Sequence, residues 1–181
     1  MTSPVSVKAN NVQVTQIAAS RNKTYQVKQQ LQGYKADGVT EIAKEDLLYT
    51  DADFLIPAAL EGQITADNAD RVKAKYIVEG ANGPTSYEAD QILNAKGKIV
   101  VPDILANAGG VIVSYFEWVQ NLQSLSWSLE EVNNKLADIL LKAFDEVYGL
   151  TEERGYPMRT SAYIIALRRL VKTKKIRGIF P

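Results

Sequence analysis

The stretch VEGANGPTSYEAD, residues 78–90, decides how this chain folds. It continues a short apolar run that begins at Tyr76, and it places two glycines, Gly80 and Gly83, ahead of a proline. Thr85 and Glu88 follow at the spacing of a capping box, which marks the first turn of a helix. An apolar run, a glycine-rich turn and a capped segment together predict a β-strand that passes directly into an α-helix.

Three short apolar runs recur at a similar interval, at residues 54–58, 76–78 and 99–102. Residues 65–73 lie between the first two runs, where Thr65 is placed to cap a helix. Residues 85–96 lie between the second and third runs, and Ala89, Ile92 and Leu93 form one helical face there. Strands that alternate with helices predict βαβ units, hence a parallel sheet covered on both faces.

The segments on either side of this region extend the pattern. On the N-terminal side we expect a strand at residues 12–18, a surface helix at 22–31, a turn at Asp37-Gly38 and a small helix at 44–48. The stretch 104–121 predicts a loop and then a helix, and Ser128 with Glu131 again has capping-box spacing. A long helix follows with one apolar face, punctuated by Gly149 and Pro157, and a last helix covers about residues 160–172.

The composition limits the classes of function. The chain has 181 residues, 46% of them apolar, with 21 basic and 21 acidic side chains. Such a chain can bury the core of one sizeable domain, and its zero net charge argues against a nucleic-acid partner. Without cysteine or histidine it has no thiol nucleophile and lacks the commonest base and metal ligand. A magnesium or calcium site made of carboxylates alone stays open, but no loop has EF-hand spacing, so we predict no metal site. No apolar run is long enough to span a membrane and no signal peptide is recognisable, so we expect a cytoplasmic protein.

Small residues follow all three predicted strands, at residues 57–60, 79–84 and 102–110. Ligands of doubly wound sheets bind beyond the carboxyl ends of the strands. Asn82 and Asn107 each add an amide that both donates and accepts hydrogen bonds, which suits the carboxamide and ribose of a nicotinamide cofactor. The alternative is purely structural: Gly80 and Gly83 then form a turn, and Asn107 caps a helix.

Three stretches also resemble a known family: IPAALEGQIT (56–65), EGANGPTSYEAD (79–90) and VPDILANAGGVIVSYFEWVQN (101–121). They are similar to the C-terminal, dinucleotide-binding part of glutamate dehydrogenase, in the glutamate/leucine/phenylalanine/valine dehydrogenase family. The resemblance covers about residues 33–181, including the closing RTSAYIIALRR and RGIFP, whereas residues 1–32 match poorly. It implies an α/β fold with an incomplete Rossmann-like parallel sheet, flanking helices and a helical C-terminal third. Residues 33–181 would then be a partial NAD(P)-binding domain.

The resemblance also implies an activity and a set of contact residues. The family oxidises L-glutamate to 2-oxoglutarate and ammonia with NAD or NADP as the cofactor. The positions that match its cofactor contacts are Ala58, Ala59, Gly80, Ala81, Asn82 and Asn107. The positions that match its substrate pocket are Gly110, Val111 and Ser114, of which Ser114 would contact the side-chain carboxylate. The structural alternative for Ser114 is a serine that is simply tolerated in a helix.

Two departures from the family leave three hypotheses open. No G-x-G-x-x-G phosphate loop occurs in the chain, and Ala18-Ala19-Ser20 replaces the acidic residue expected at the end of the second strand. The family's catalytic lysines and aspartate belong to an N-terminal domain that this chain does not match, so we predict no catalytic residue. The chain is then the cofactor-domain portion of a glutamate dehydrogenase, a non-catalytic remnant, or half of a split enzyme. In the last case an N-terminal half or a full-length homologue supplies the rest.

Overall fold

The computed structural model describes residues 7–9, 12–14 and 42–178. The strands are β1 (Val7–Ala9), β2 (Val12–Val14), β3 (Phe54–Leu55), β4 (Tyr76–Val78) and β5 (Ile99–Val101). The α-helices are α1 (Tyr87–Ala95), α2 (Asp103–Ala106), α3 (Gly109–Gln123), α4 (Leu129–Arg154) and α5 (Met158–Arg177). Short 3₁₀ helices occupy Lys44–Tyr49 and Ala69–Arg71. Two compact units divide the chain, residues 1–55 with 71–75 and residues 56–70 with 76–181.

The first unit contains an antiparallel pair of strands. Residue Val7 of β1 lies opposite Val14 of β2. The strand predicted at residues 12–18 is therefore confirmed over 12–14, although its partner runs antiparallel to it. The small helix predicted at 44–48 is confirmed as a 3₁₀ helix, and the guanidinium of Arg71 lies 3.7 Å from the ring centroid of Tyr49. The predictions for residues 15–18, 22–31 and 37–38 lie outside the described residues.

The second unit contains the predicted parallel βαβ arrangement. Strands β4 and β5 pair in parallel, with Tyr76 opposite Ile99 and Val78 opposite Val101, and α1 connects them. The segment that follows β3 lies beside the end of β4, because the Ala81 amide donates to the Pro57 carbonyl at 2.8 Å. The α/β class, with a parallel sheet and a helical C-terminal third, is confirmed.

The helix predicted at residues 65–73 is wrong. Only Ala69–Arg71 forms a 3₁₀ turn, preceded by a hydrogen-bonded turn. The side chain of Asn68 accepts from the Thr65 amide at 2.8 Å and donates to the Gln63 carbonyl at 2.9 Å. The side chain thus closes a turn onto the backbone that precedes it, a local arrangement that asparagine offers in place of a continuing helix.

The start of α1 also differs from the prediction by one residue. Ser86, and not Thr85, is the N-cap, and its hydroxyl accepts from the Ala89 amide at 3.2 Å. Thr85 forms a parallel β-bridge with Ile64 and is buried. A residue held in a bridge has an extended backbone and a side chain facing the core, so the next residue caps the helix instead.

The C-terminal third is a pair of long helices. The capping box of Ser128 and Glu131 is confirmed at the start of α4. The prediction that Gly149 interrupts this helix is wrong: α4 continues to Arg154 and ends at Gly155, which has a φ of 67°. Pro157 is the N-cap of α5, as its position indicated, and α5 extends to Arg177. Together with α2, these helices bury a cluster of Leu105, Val147, Met158 and Ala162. Within residues 42–178, no helix combines the length and apolar character needed to cross a membrane.

Candidate functional site

Asn82 and Asn107 come together at the carboxyl ends of β4 and β5. The Asn107 Nδ2 atom donates to Asn82 Oδ1 at 2.6 Å and approaches the Gly80 carbonyl at 3.5 Å. Asn107 is not the N-cap of α3 that the structural alternative requires, because Ala108 occupies that position; Asn107 is instead the C-cap of α2, through its backbone amide. Asn82 Nδ2 and Asn107 Oδ1 have no further side-chain hydrogen bond in the part of the chain that the structure describes. One donor group and one acceptor therefore remain available at the edge of the sheet.

Gly80 lets two strand-end loops approach each other closely. A Cβ atom on this residue would lie 3.0 Å from Ala58 Cβ and 3.4 Å from Ala58 Cα. The hydrogen bond from the Ala81 amide to Pro57 holds the same two loops together. Ala58 and the following Ala59 are exposed beside this contact. The structure thus brings the predicted cofactor residues Ala58, Gly80, Ala81, Asn82 and Asn107 into one region, and Ala59 borders it.

A cluster of charged side chains lies behind this loop. Glu79, the first residue after β4, is 0% exposed, and its Oε1 atom lies 2.6 Å from Arg159 Nη2. Arg159 Nη1 lies 3.4 Å from Asp103 Oδ1, and Arg159 Nε lies 3.3 Å from Asp90 Oδ1. The contact to Asp90, which is 3% exposed, is an ion pair without hydrogen-bond geometry.

The electrostatic balance at Arg159 favours its charged form. Burial by itself lowers the pKa of this guanidinium, whereas the hydrogen bond and the charge of Glu79 raise it. The charges of Asp90 and Asp103 act in the same direction, so the pKa of Arg159 is raised above its ordinary value. The cluster therefore has a permanent positive charge at its centre.

Carboxylates of this cluster connect directly to the loop backbone. Glu79 Oε2 accepts from the Asp103 amide at 2.8 Å, and Asp103 Oδ2 accepts from the Gly83 amide at 2.8 Å. Gly83 has a φ of 53°, a conformation that glycine adopts at little cost. Sequence reasoning did not identify Glu79, Asp90, Asp103 or Arg159. A usable signal was present, because Glu79 and Asp103 are acidic residues placed directly beyond predicted buried strands.

The predicted substrate residues form a separate group on α3. Gly110, Val111 and Ser114 are exposed, and Ser114 lies four residues after Gly110 and three after Val111, so it neighbours both of them on the helix surface. A Cβ atom on Gly110 would meet nothing within 4 Å, and Val111 is 76% exposed. Gly109 faces the other way, since a Cβ atom there would lie 3.8 Å from Leu140 Cδ1. Helix α3 begins two residues after Asn107, which links this face to the asparagine pair along the chain.

The chemistry of this region is binding chemistry. It offers carboxamides, small side chains and backbone groups at strand ends, which are groups that can hydrogen-bond to a polar ligand and let it approach closely. Within the described residues, no group of acidic side chains is arranged to hold a metal ion. The carboxylates that are present bind Arg159 and backbone amides, so none of them is placed to exchange a proton with a ligand.

Comparison with known proteins gives a family match. The sequence model described as glutamate/leucine/phenylalanine/valine dehydrogenase matches residues 4–178. This match begins inside the segment 1–32, and the division of the chain at residue 33 stays a prediction. The glutamate dehydrogenase of Thermotoga maritima is 57% identical over 140 residues, which cover 77% of this chain and 34% of that protein.

Other relatives differ in their cofactor. An NADP-specific glutamate dehydrogenase of Synechocystis is 54% identical over 76% of this chain and 32% of its own length. An NAD-specific glutamate dehydrogenase of Staphylococcus aureus is 52% identical over 76% of this chain and 33% of its own length. The chain therefore spans about a third of the relatives that it matches.

A solved structure gives the same result for the fold. The hetero-hexameric glutamate dehydrogenase from Thermus thermophilus, in a leucine-bound form, superposes with a TM-score of 0.76 at 35% identity. The superposition covers 87% of this chain and 36% of that chain.

Proposed function

Because the chain belongs to the glutamate/leucine/phenylalanine/valine dehydrogenase family, we propose that it forms the nicotinamide-binding part of a glutamate dehydrogenase. The complete enzyme oxidises L-glutamate to 2-oxoglutarate and ammonia in the cytoplasm. The observation that carries this proposal is the hydrogen-bonded pair of Asn82 and Asn107, which lies at the carboxyl ends of two parallel strands. Dinucleotides bind beyond the carboxyl ends of the parallel strands in this class of fold.

The cofactor-binding role is divided among two kinds of residue. Asn82 and Asn107 bind the ribose and the carboxamide of the nicotinamide end through the amide groups that their mutual hydrogen bond leaves available. The small residues Ala58, Ala59, Gly80 and Ala81 line the same region and allow a flat ligand to approach the backbone. When bound, the cofactor supplies the acceptor for the hydride. Either NAD or NADP suits these residues, which face only the nicotinamide end.

The substrate-binding role falls to the exposed face of α3. The hydroxyl group of Ser114 donates a hydrogen bond to the side-chain carboxylate of glutamate, and Gly110 and Val111 line the pocket. A hydroxyl donor favours an acidic amino acid over leucine or phenylalanine, because an apolar side chain bound over Ser114 would exclude water from the hydroxyl without giving it a partner.

Catalysis requires groups that residues 1–181 do not supply. Hydride transfer needs the cofactor held in register with the substrate, and a misplacement of about 1 Å can reduce the rate about 100-fold. The chain has neither a histidine nor a G-x-G-x-x-G phosphate loop. We therefore expect weak dinucleotide binding and no turnover from the chain alone. The phosphate loop and the proton-accepting lysines come from an N-terminal half or a full-length homologue.

An absorbance assay for NADH or NADPH formation from glutamate tests this proposal. The samples are the chain, the unmatched N-terminal part of the Thermotoga maritima relative, and their mixture, with the complete relative as a positive control. The expected result is turnover in the mixture only. Turnover by the chain alone would contradict the requirement for groups from outside residues 1–181. A mixture that forms a complex but stays inactive would contradict the enzymatic role and favour a non-catalytic remnant.

A further inference from the structure

We propose that Arg159 is a positioning residue that fixes the cofactor loop, defined as residues 79–83, by binding three carboxylates at once. This inference rests on the proposed function in one respect, namely that the cofactor loop binds the nicotinamide end. Arg159 lies in the first turn of α5, whereas its partners lie after β4, in α1 and in α2. One side chain therefore connects the C-terminal helix to the first residue of the loop, to α1 and to α2.

The guanidinium group is suited to this task by its shape. Each of its three nitrogens faces a different carboxylate: Nη2 faces Glu79, Nη1 faces Asp103 and Nε faces Asp90. A planar group with donors in fixed directions can hold three partners in one arrangement, whereas the single ammonium of lysine cannot reach all three in the same way. The arrangement consequently requires arginine rather than a positive charge alone.

Two of the three carboxylates pass this constraint on to the loop. Glu79 uses Oε1 for Arg159 and Oε2 for the Asp103 amide. Asp103 uses Oδ1 for Arg159 and Oδ2 for the Gly83 amide. Each carboxylate thus binds Arg159 through one oxygen and accepts a hydrogen bond from a backbone amide through the other. Gly83 immediately follows Asn82, so the position of the asparagine pair depends on α5.

The charges explain why the loop cannot keep this position without arginine. Three carboxylates converge on one guanidinium, and two of them, Glu79 and Asp90, are buried. Removing one partner from a buried pair leaves an uncompensated charge, which is strongly unfavourable. Lysine at this position would keep the charge but release at least one carboxylate, and the most exposed of the three, Asp103, is the one that holds Gly83.

Helix α5 offers a matched control. Arg169 forms an ion pair with Glu146 of α4. Both of these side chains are partly exposed to solvent, and this pair has no hydrogen bond to the cofactor loop. Arg169→Lys therefore makes the same chemical change on the same helix without acting on Gly83.

Amide hydrogen exchange and NMR spectra of the isolated chain test the inference without any cofactor. In Arg159→Lys we expect the Gly83 amide to exchange at least about tenfold faster, a ratio that corresponds to about 1.4 kcal/mol. We also expect the side-chain amide signals of Asn82 and Asn107 to shift. Arg169→Lys should leave all of these signals unchanged, and amides in the middle of α4 serve as the internal reference. A folded Arg159→Lys protein with unchanged Gly83 exchange and unchanged asparagine signals would overturn the inference.

A second variant decides the matter if Arg159→Lys does not fold. Asp103→Asn keeps an oxygen for the Gly83 amide but removes the ion pair with Arg159, and the same acceleration at Gly83 is expected. Unchanged exchange in this variant would overturn the inference.

Kinetics in the mixture with an N-terminal half give an independent readout. There Arg159→Lys should raise KM for the dinucleotide more than it lowers kcat, because it displaces a binding group and removes no reacting group. An inactive mixture would contradict the proposed function, while the exchange result would still report on Arg159. An active mixture whose KM for the dinucleotide does not change would overturn the positioning role.

Discussion

A methyl group at position 80 has no room, whereas a methyl group at position 149 meets no atom. The Cβ atom of Gly80→Ala would lie 3.0 Å from Ala58 Cβ, so one of the two loops must move. We expect this substitution to destabilise the protein by about 1–3 kcal/mol, the range for overpacking. Gly149→Ala, the matched control, lies inside α4 with nothing within 4 Å and should stabilise it by about 0.5–1 kcal/mol. Urea unfolding measures the stability change of both variants. Unfolding midpoints that shift in the same direction for the two variants would contradict the close contact between Gly80 and Ala58.

Ser114 provides a second prediction at the scale of one residue. In the active mixture, Ser114→Val should weaken glutamate binding by about 1.5–3 kcal/mol, the range for a hydrogen bond to a charged group. Steady-state kinetics with glutamate measure this change. Ser126→Val makes the same substitution at an exposed serine outside the helices and should leave the kinetics unchanged. Equal glutamate kinetics for Ser114→Val and the unsubstituted chain would exclude the proposed contact.

Some residues of the candidate site can be predicted from sequence patterns, whereas others cannot. Asn82 and Asn107 stand in loops that follow apolar runs, so their position beyond the strands could be predicted. Arg159 could not be found in this way, because it lies 80 residues from Glu79 and 56 residues from Asp103. Local patterns indicate which strand a side chain follows, but they do not indicate which distant helix returns to it.

At the scale of elements, the start of α4 depends on pH. Two hydrogen bonds lower the pKa of Glu131 from its ordinary value of 4.5: the larger effect comes from the backbone amide of Ser128 and the smaller from its side chain. A carboxylate whose pKa is lower in the folded state stabilises the fold above its ordinary pKa and loses this effect as pH falls through the folded-state pKa. We therefore expect Glu131→Gln to reduce the stability of the protein at neutral pH. The variant should also lose less stability than the unsubstituted chain when the pH is lowered.

Thermal unfolding over a pH series measures this effect. Glu130→Gln is the control, because Glu130 also lies in the first turn of α4 but is not the N3 residue of the capping box. The two variants should differ at neutral pH and converge in acid. Ser128→Ala should cost about 0.5–2 kcal/mol, as for other N-cap substitutions. Identical pH profiles for the two glutamine variants would contradict the role of the capping box.

Elements with strong periodicity were predictable, and the failures have local causes. The strands β4 and β5, the helix between them and the capped start of α4 follow directly from apolar spacing and capping residues. The helix expected at 65–73 is replaced by a turn because Asn68 binds the backbone at Thr65 and Gln63. Gly149 does not end α4, because the buried residues Val147 and Leu150 on either side offset its cost of about 1 kcal/mol.

At the scale of the whole molecule, α3 presents an unusual apolar face. Its exposed apolar side chains recur at helical spacing, at Val111, Tyr115, Trp118 and Leu122. Ser114 lies four residues before Trp118, so the proposed substrate contact borders the same face. Exposed apolar patches of this kind mark interaction sites. Since the chain spans only about a third of its relatives, we expect the remaining part of a relative to cover this face.

The two tryptophans of the chain can report whether this face becomes covered. Trp118 is 57% exposed, whereas the ring of Trp127 packs edge-to-face on Phe116 with Lys135 above it at 4.9 Å. In Trp127→Phe, Trp118 is the one tryptophan left in the chain. With excitation selective for tryptophan, acrylamide should quench its fluorescence strongly in the chain alone and weakly after a tryptophan-free N-terminal half is added. In Trp118→Phe only Trp127 remains, and its quenching should change little on mixing, because intramolecular contacts already shield it. If a complex forms but acrylamide still quenches Trp118 fully, the second polypeptide binds elsewhere, and the α3 face does not serve to close the substrate pocket.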